Sequence, residues 1–361
     1  DAVQPVEQQH RRGADGERFA PHQLLGKAQQ QLVLARGADL QPDRPGGIEQ
    51  LEGRLKNIAA DMKERQEARE KLTMPVCIDL MRTALKELEE GNWTQPVRSI
   101  AVLPGGEKFG FMPAWLKDSY GAKVLVACPQ NAGTVYPSHI GYVMMFDGAH
   151  GEVMGLADAS VITEVRTGAV SGVATDLLAR KDAHHLAVIG AGAQGRSHLA
   201  AMMEVRDIQK VTVYDQRREA AKKYQKEMEE KYKIPVMVCD SVKEAVKGAE
   251  IICTVTPSKE PYLKAEWITP GAHINAVGAF TPNTREIESS LMAKAKLYAD
   301  QVEAMKKECG EYLIPKNEGL FGEEHITGSI GGILAGQVPG RENDTEITLF
   351  DALGLAVEDV A

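Results

Sequence analysis

The chain has 361 residues, more than one ordinary hydrophobic core accommodates, which predicts at least two domains. Hydrophobic residues make up 43% of it and charged residues 26%, proportions that are typical of globular proteins. The formal net charge of −9 argues against nucleic acid or an anionic membrane as partner, because both repel an acidic surface.

The cysteines and histidines give no sign of a cross-linked or metal-binding protein. The five cysteines are widely spaced and form no C-x-x-C pair, which favours reduced, buried thiols over disulfides or zinc. The histidines form no H-x-x-x-H pair, so no metal site is expected. No apolar run reaches the roughly 20 residues of a spanning helix, and residues 1–20 lack a signal-peptide core. These patterns predict a cytoplasmic protein without a membrane partner.

Residues 1–60 differ in composition from the rest of the chain. They are rich in Gln, Arg, Gly and Pro and have little periodic hydrophobicity, as in the run QPDRPGG. Such a segment buries too little apolar surface to offset the entropy of ordering. We therefore expect a disordered or non-native leader.

The first regular element is a predicted helix. Thr73 is a candidate N-cap ahead of Pro75, and Gly91 is a candidate stop. Apolar residues spaced four apart predict its buried face, namely Val76, Leu80, Ala84 and Leu88.

Strand patterns and a second helix follow. Residues 99–159 contain strand-like apolar runs, and the pair Asp147-Gly148 predicts a β-hairpin near their end. Residues 161–180 predict a long helix rich in Gly, Ala and Ser. Small side chains of this kind let a helix lie close against a neighbour.

After Lys181, strand-length apolar runs alternate with helical patterns. The runs read LAVIG, VTVY, VMVC, IICTVT and HINAVG, and Ser241 forms a capping-box signature with Glu244 between two of them. This alternation predicts an α/β fold with a parallel sheet, right-handed crossovers and strands buried on both faces.

The first of these strands runs into a G-x-G-x-x-G turn that opens a helix, the context typical of dinucleotide binding. The turn consists of Gly190, Ala191, Gly192, Ala193, Gln194 and Gly195. Gly190 permits the tight turn, Gly192 lets backbone approach a pyrophosphate, and Gly195 lets helix and strand pack closely. The helix N-terminus attracts the phosphates. A glycine-rich turn without a dinucleotide is the alternative.

Asp215 ends the next strand, where a carboxylate commonly binds the adenosine ribose. It would accept hydrogen bonds from the ribose hydroxyls and repel a 2′-phosphate, which predicts NAD as cofactor. Arg217 and Arg218 follow closely and would accommodate that phosphate, so NADP stays open.

Several motifs occur in order along residues 73–361: PVRS, FMPAWL, AKVLVACPQN, YPSHIGYVMMFD, VITEVRTGAVSGVATDLLAR, VIGAGAQG, INAVGAFTPNTREI and ITLFDALGLAVEDVA. Together they resemble the ornithine cyclodeaminase/mu-crystallin family. The resemblance implies a Rossmann NAD(P)-binding domain at residues 181–300. It is inserted into an α+β substrate and dimerisation domain built from residues 61–180 and 301–361, in a homodimer.

The resemblance also implies that Arg98, Lys123 and Arg166 bind the carboxylate and amine of a small substrate, with Lys123 catalytic. A guanidinium grips an α-carboxylate at two points, and a lysine beside the nitrogen can move protons while C=N forms or is reduced. Arg98 has an alternative as a surface charge on a strand. Lys123 and Arg166 lie in apolar sequence, where an unpaired charge is costly.

Cofactor contacts are expected outside the glycine turn as well. The resemblance implies them at Ser138 and Thr167, although such hydroxyls have an alternative role as local caps. Thr256, Val277 and Gly278 follow predicted strands, where backbone commonly lines the dinucleotide crevice.

One departure from the family motifs limits which of the family's reactions we expect. True cyclodeaminases carry an Asp at the position of Phe280, and phenylalanine can neither transfer a proton nor pair with an ammonium. We therefore expect hydride transfer to or from a small L-amino acid or its cyclic imine, like that of alanine dehydrogenase or ketimine reductase. Ornithine cyclodeaminase, with Glu286 as a replacement acid, and a non-catalytic binding protein are the alternatives.

Two further departures lie near the ends of the chain. KNIAADMKERQEAREKLT at residues 56–73 takes the place of a strand and short helix in the family, which predicts a weaker dimer. The sequence also ends at Ala361, short of the family's last helix.

Overall fold

The computed structural model describes residues 68–131 and 139–361. Within these ranges the strands form two sheets, one of five and one of eight strands. The leader predicted at residues 1–60 and the cofactor contact predicted at Ser138 lie outside the described residues.

The five-stranded sheet is antiparallel, in the order β1-β2-β3-β4-β5. Its strands are β1 (Ser99–Val102), β2 (Lys108–Trp115), β3 (Ser119–Ala127), β4 (His139–Asp147) and β5 (Val153–Asp158). The predicted hairpin joins β4 to β5, but its turn is longer than Asp147-Gly148. The Asp147 carboxylate accepts bonds from the backbone N–H groups of Ala149, His150 and Glu152, which closes a wider loop.

Helix α1 (Met74–Glu89) forms where predicted, but its buried face is rotated. The buried residues are Cys77, Ile78, Met81, Ala84 and Leu85, whereas Val76 is 48% exposed. A row spaced by four residues drifts around a helix of 3.6 residues per turn. The true face therefore follows mixed spacings of three and four, and the predicted face was wrong at Val76.

The predicted long helix is α2 (Ala159–Leu178), and Asp158 caps its first turn by accepting from the N–H groups of Ser160 and Val161. It packs tightly against α3 (Ala193–Val205). A Cβ at Gly168 would lie 2.3 Å from the Ser197 Oγ, so this close approach needs glycine. The small residues of α2 serve the packing that the sequence predicted.

The eight-stranded sheet is parallel throughout, in the order β12-β11-β13-β10-β9-β6-β7-β8, and confirms the predicted α/β class. Its strands are β6 (His185–Ile189), β7 (Lys210–Tyr214), β8 (Val236–Val238), β9 (Ile251–Thr254), β10 (His273–Ala276), β11 (Lys296–Ala299), β12 (Ile326–Ser329) and β13 (Thr348–Asp351). The remaining helices are α4 (Arg218–Tyr232), α5 (Val242–Ala245), α6 (Ser289–Lys294), α7 (Val302–Glu308), α8 (Gly310–Asn317), α9 (Ile330–Leu334) and α10 (Ala356–Val360).

The end of the chain serves both sheets. β13 lies between β10 and β11, and β12 forms an edge of the same parallel sheet. The assignment of residues 301–361 to the first domain therefore does not hold for these two strands, because their hydrogen-bonding partners belong to the parallel sheet. Helix α10 packs instead against β2 and β3. The division of the chain into domains otherwise stays a prediction.

Buried apolar side chains fill both faces of the parallel sheet and the space between α1, α2 and the five-stranded sheet. All five cysteines lie in the described ranges and are free thiols, four of them buried. No helix in the described part of the chain has the length and apolar character needed to cross a membrane.

Candidate active site

Lys123 lies in the middle of β3, paired with Met112 of β2 and Val143 of β4, and its side chain is only 2% exposed. Its Nζ lies 2.5 Å from the Oδ2 of Asp359 in α10. Burial lowers the pKa of Lys123 to about 8, although the Asp359 carboxylate opposes this shift. Lys123 can therefore exchange a proton near neutral pH.

Arg166 reaches the same carboxylate from α2. Its Nε donates to the Asp359 Oδ1 at 2.9 Å, and its Nη1 donates to the Glu358 Oε2 at 2.7 Å. These bonds use two of the five N–H donors of the guanidinium. Among the described residues no partner binds Nη2, so one end of the guanidinium fork is available for a carboxylate.

Arg98 directly precedes β1 and is largely engaged. Its Nη2 lies 2.6 Å from the Glu308 Oε2, to which Nε also donates at 2.8 Å. Nη1 donates to the Leu353 carbonyl at 3.2 Å, and Nη2 also donates to the Phe280 carbonyl at 3.3 Å. Arg98 is thus no isolated surface charge, and one N–H of Nη1 remains for a further acceptor.

The loop between β13 and α10 brings Arg98 and Arg166 together. Arg98 binds the carbonyl of Leu353, and the next residue, Gly354, lies against Arg166. A Cβ at Gly354 would lie 2.8 Å from both the Nη1 and the Nη2 of Arg166. The buried Asp300 fixes this loop by accepting from the N–H groups of Leu353 and Gly354, each at 2.8 Å. The three cations predicted from the sequence therefore meet around one loop and one carboxylate.

Phe280 faces two basic side chains in the same region. Its ring centre lies 6.3 Å from that of His139 and 6.0 Å from the Nζ of Lys108. Burial lowers the pKa of His139, and the nearby Lys123 and Arg166 lower it further. His139 is therefore neutral at neutral pH and belongs to the surroundings of these cations.

The glycine turn has the geometry that its motif predicts. Gly190 has φ +114, and a Cβ there would lie 2.8 Å from the Val255 carbonyl oxygen. A Cβ at Gly195 would lie 2.2 Å from the Gly190 carbonyl oxygen, whereas Gly192 has no atom within 4 Å of its Cβ position. Tight packing at two glycines and open space at the third fit a dinucleotide pyrophosphate at the start of α3.

Asp215 lies directly after β7 and beside the glycine turn. Its Oδ2 accepts from the Ala191 N–H at 2.9 Å and its Oδ1 from the Arg217 N–H at 2.8 Å. Arg217 and Arg218 have side chains that are 68% and 59% exposed, and Arg218 pairs with Asp240. The carboxylate is thus held beside the turn, with both arginines at the surface.

Thr256, Val277 and Gly278 come together after the carboxyl ends of β9 and β10. A Cβ at Gly278 would lie 2.1 Å from the Thr256 carbonyl oxygen, so the two backbones touch. The fully buried Glu286 accepts from the N–H groups of Thr256 and Gly278 at 2.7 and 2.8 Å. It also accepts from the Tyr262 hydroxyl at 2.6 Å. Glu286 therefore supports the crevice and offers no free acid.

Helix α2 connects the glycine turn to the cations. The Thr163 carbonyl accepts from the Gln194 Nε2 at 3.3 Å and from the Thr167 Oγ1 at 2.7 Å. Arg166 follows Thr163 within one helical turn, so the start of α3 lies beside the helix segment that carries Arg166. The Thr167 hydroxyl bonds within α2 and does not cap a helix end, and its contact with a cofactor stays a prediction.

Glu358, Asp359, His139 and Asp300 were not identified as site residues from the sequence. One signal was available, since VEDVA places two adjacent acids in an otherwise apolar helix and buried acids need cationic partners. Nothing local in the sequence indicates which cations these are.

Fold and site together define an α/β protein with a dinucleotide-type glycine turn and a neighbouring cluster of paired cations. The model of the ornithine cyclodeaminase/mu-crystallin family matches residues 58–361. The chain belongs to that family, which confirms the resemblance drawn from its motifs.

Individual relatives are similar over most of their length. The chain is 38% identical over 274 residues to the ketimine reductase mu-crystallin of Mus musculus, covering 75% of this chain and 83% of the relative. The solved structure of Thermococcus litoralis Δ1-pyrroline-2-carboxylate reductase with NADH and L-proline has a TM-score of 0.78 at 38% identity, covering 80% and 90%. An archaeal alanine dehydrogenase dimer with bound NAD has a TM-score of 0.78 at 33% identity, covering 82% and 91%.

Proposed function

We propose that this protein is an NAD-dependent oxidoreductase that reduces the C=N bond of a small imine carrying a carboxylate. The reverse reaction oxidises the corresponding L-amino acid. The observation that carries the proposal is the chain of ion pairs from Lys123 through Asp359 to Arg166, beside the helix that contacts the glycine turn. The reductase names of the relatives support this reaction class.

The free donors suggest how a substrate is held. Arg166 offers its Nη2 end to the substrate carboxylate, and Arg98 offers the remaining N–H of Nη1. Lys123 has N–H donors beyond the one directed at Asp359, and we propose that one of them binds the imine nitrogen. Arginine clamps of this kind fix which face of the reacting carbon is presented.

The reaction needs one hydride and one proton. NADH, when bound along the glycine turn, supplies the hydride. Lys123 in its ammonium form donates a proton to the imine nitrogen, while the carbon accepts the hydride and C=N becomes CH–NH. The neutral Lys123 then regains its proton from solvent. Its pKa of about 8 suits both halves of this cycle.

Phe280 disfavours the cyclodeaminase alternative. Its ring packs near His139, so an apolar wall stands where a cyclodeaminase carries a carboxylate. Glu286 was the candidate replacement, but its carboxylate already accepts bonds from Thr256, Tyr262 and Gly278. A buried acid engaged in this way cannot bind the side-chain ammonium of ornithine without breaking those bonds.

NAD is the proposed cofactor because Asp215 is held beside the glycine turn, where its charge would repel a 2′-phosphate. Arg217 and Arg218 lie at the surface, and Arg218 is paired with Asp240. The bound NADH and NAD in two related structures support the same choice.

We also propose that two copies associate through the outer face of the five-stranded sheet. Phe111, Val124 and Tyr142 form one row of neighbours across β2, β3 and β4. Phe111 and Tyr142 are 43% and 45% exposed. The outer face thus presents apolar side chains that a partner would cover. The relative described as an alanine dehydrogenase dimer supports association of two copies.

The test is hydride transfer measured at the nicotinamide absorbance. The purified protein is supplied with NADH and Δ1-pyrroline-2-carboxylate or other cyclic imines, and with NAD and L-proline or L-alanine in reverse. We expect turnover with at least one pair. Lys123→Met should lower kcat at least ~100-fold because the proton donor is lost. Lys117→Met is the matched control, since Lys117 is exposed in the turn between β2 and β3.

Two other outcomes would replace the proposal. Tight NADH binding by folded protein without turnover on the whole panel would favour the non-catalytic alternative. Release of ammonia from L-ornithine with catalytic NAD would favour the cyclodeaminase, an activity that we do not expect while Phe280 is in place.

A further inference from the structure

We propose that Asp359 is a positioning residue that holds Lys123 and Arg166 in one fixed arrangement and keeps Lys123 protonated at neutral pH. The inference rests on the proposed function and adds to it, since it assigns the state of the proton donor to a carboxylate of the last helix.

The geometry gives Asp359 a role that its neighbour does not share. Its two oxygens bind different cations, Oδ1 the Nε of Arg166 at 2.9 Å and Oδ2 the Nζ of Lys123 at 2.5 Å. The side chain is fully buried, so these cations are its partners in place of water. Glu358 binds Arg166 and the Leu355 N–H, and no bond joins it to Lys123.

The electrostatics explain why such a carboxylate is needed. A lysine that is 2% exposed would ordinarily lose its proton, because burial disfavours the ammonium form. Arg166 adds a second repulsive charge, and Asp359 is the principal group that opposes both. The result is a pKa of about 8 for Lys123, at which the ammonium predominates at neutral pH.

Other groups near Lys123 do not replace Asp359. The charged or titratable side chains around Lys123 and its partner Arg166 are Asp359 and Glu358 on α10, Arg166 on α2, His139 on β4, Asp300 after β11 and Cys77 on α1. Burial lowers the pKa of His139, so it is neutral. Burial raises the pKa of Cys77 to about 12, so it is neutral as well. Asp300 is engaged with backbone N–H groups.

The arrangement also determines which end of the Arg166 guanidinium faces the substrate. Asp359 occupies the Nε side of Arg166, which leaves the Nη2 end for the substrate. With the carboxylate of the substrate on that end, Lys123 and Arg166 are held at a fixed separation by one shared counterion. The proton donor then keeps its position relative to the imine nitrogen.

The experiment is the pH dependence of imine reduction by Asp359→Asn, with Glu358→Gln as matched control. The asparagine oxygen can still accept from Arg166, but the charge beside Lys123 is gone. The rate of reduction falls as Lys123 loses its proton. We expect this fall at pH about 8 in the natural protein and about 1 or more pH units lower in Asp359→Asn. At pH 8 kcat should fall about fivefold or more, with recovery toward pH 6.

Glu358→Gln should behave differently because Glu358 binds only Arg166 of the two cations. We expect KM to rise, whereas the pH at which the rate falls should change little. Asp359→Glu keeps the charge, so its rate should fall at nearly the same pH as that of the natural protein. A second readout is calorimetric binding of L-proline with NADH present. We expect the pH dependence of this binding to shift downward in Asp359→Asn by about the same amount as the pH dependence of the rate.

Several outcomes overturn the inference. One is a rate in Asp359→Asn that falls within about 0.3 pH units of where it falls in the natural protein, with kcat lowered equally at every pH. That result means that Asp359 has a structural role alone. If Asp359→Asn does not fold, the pH profile of the natural protein provides the test. A rate that already falls at a pH below about 6.5 contradicts a lysine that its counterion keeps protonated. If the natural protein itself shows no turnover, the proposed function is refuted. Measuring the natural protein beside the variants therefore separates this failure from a failure of the inference about Asp359.

Discussion

Gly354 lies so close to Arg166 that an added methyl group would collide with the guanidinium. Its φ is +80, a conformation that favours glycine, and a Cβ there would lie 2.8 Å from the guanidinium of Arg166. The residue therefore has two separate reasons to be glycine. One is the backbone, and the other is the space needed by the Arg166 side chain.

We expect Gly354→Ala to raise KM for the imine about tenfold while NADH binding is unchanged, because the glycine turn lies elsewhere. Gly336→Ala is the matched control, since Gly336 has φ +72 but no atom within 4 Å of its Cβ position. Both variants carry backbone strain of about 1–2 kcal/mol, and only the first displaces Arg166. Equal KM values in the two variants would contradict the assignment.

Asp215 allows a test of cofactor choice at a single residue. Asp215→Asn keeps an oxygen for the Ala191 N–H but removes the charge that would repel a 2′-phosphate. We expect the ratio of kcat/KM for NADPH over NADH to rise about tenfold, equivalent to about 1.4 kcal/mol. An equal loss with both cofactors would mean that Asp215 only supports the turn.

At the scale of elements, α2 organises the site. It lies close to α3 because Gly168 lacks a side chain, and it carries Arg166 to the shared carboxylate of α10. Its C-terminal end is tied by Asp176, which binds Arg82 of α1, Lys181 and Arg206. These ion pairs join the C-terminal end of α2 to α1 and to the residue that follows α3.

Asp176 should contribute stability that depends on pH. Burial alone would raise the pKa of Asp176, but bonds from Lys181, Arg82 and Arg206 outweigh it and hold the pKa well below its ordinary value. Because the folded pKa lies below the unfolded one, this stability is present above pH about 4 and is lost as the pH falls.

We expect Asp176→Asn to lower the free energy of unfolding by about 1–2 kcal/mol at pH 7, measured by denaturant titration. The difference from the natural protein should shrink between pH 5 and pH 3. Asp182→Asn is the control, since Asp182 is 77% exposed and pairs with Arg180 at the surface. Its effect should stay below about 0.5 kcal/mol. A difference for Asp176→Asn that does not change with pH would contradict the assignment.

At the scale of the whole molecule, the exposed apolar face of the five-stranded sheet predicts association. Phe111→Lys should convert the proposed dimer to a monomer in sedimentation experiments, because it places a charge in the apolar row that a partner would cover. Met237→Lys is the control, since Met237 is 44% exposed on β8 at the edge of the other sheet. A natural protein that sediments as a monomer at micromolar concentration would refute the dimer.

The sequence by itself determined the parallel α/β sheet, the glycine turn and the family. These features depend on local backbone demands and on hydrophobic periodicity, both of which can be recognised in short segments. The resemblance also predicted Arg98, Lys123 and Arg166 as substrate-binding residues. For Lys123 and Arg166 the surrounding apolar sequence favoured the same prediction, because an unpaired charge there is costly.

The tertiary structure alone decided which counterions those cations have. Asp359 meets Lys123 from 236 positions further along the chain (from 123 to 359), and no local pattern encodes such a pairing. The same holds for Glu286, which lay close to Phe280 in sequence but faces the crevice backbone, and for β12 and β13, which join the parallel sheet. The partners of a buried charge are chosen by packing, which brings distant segments together.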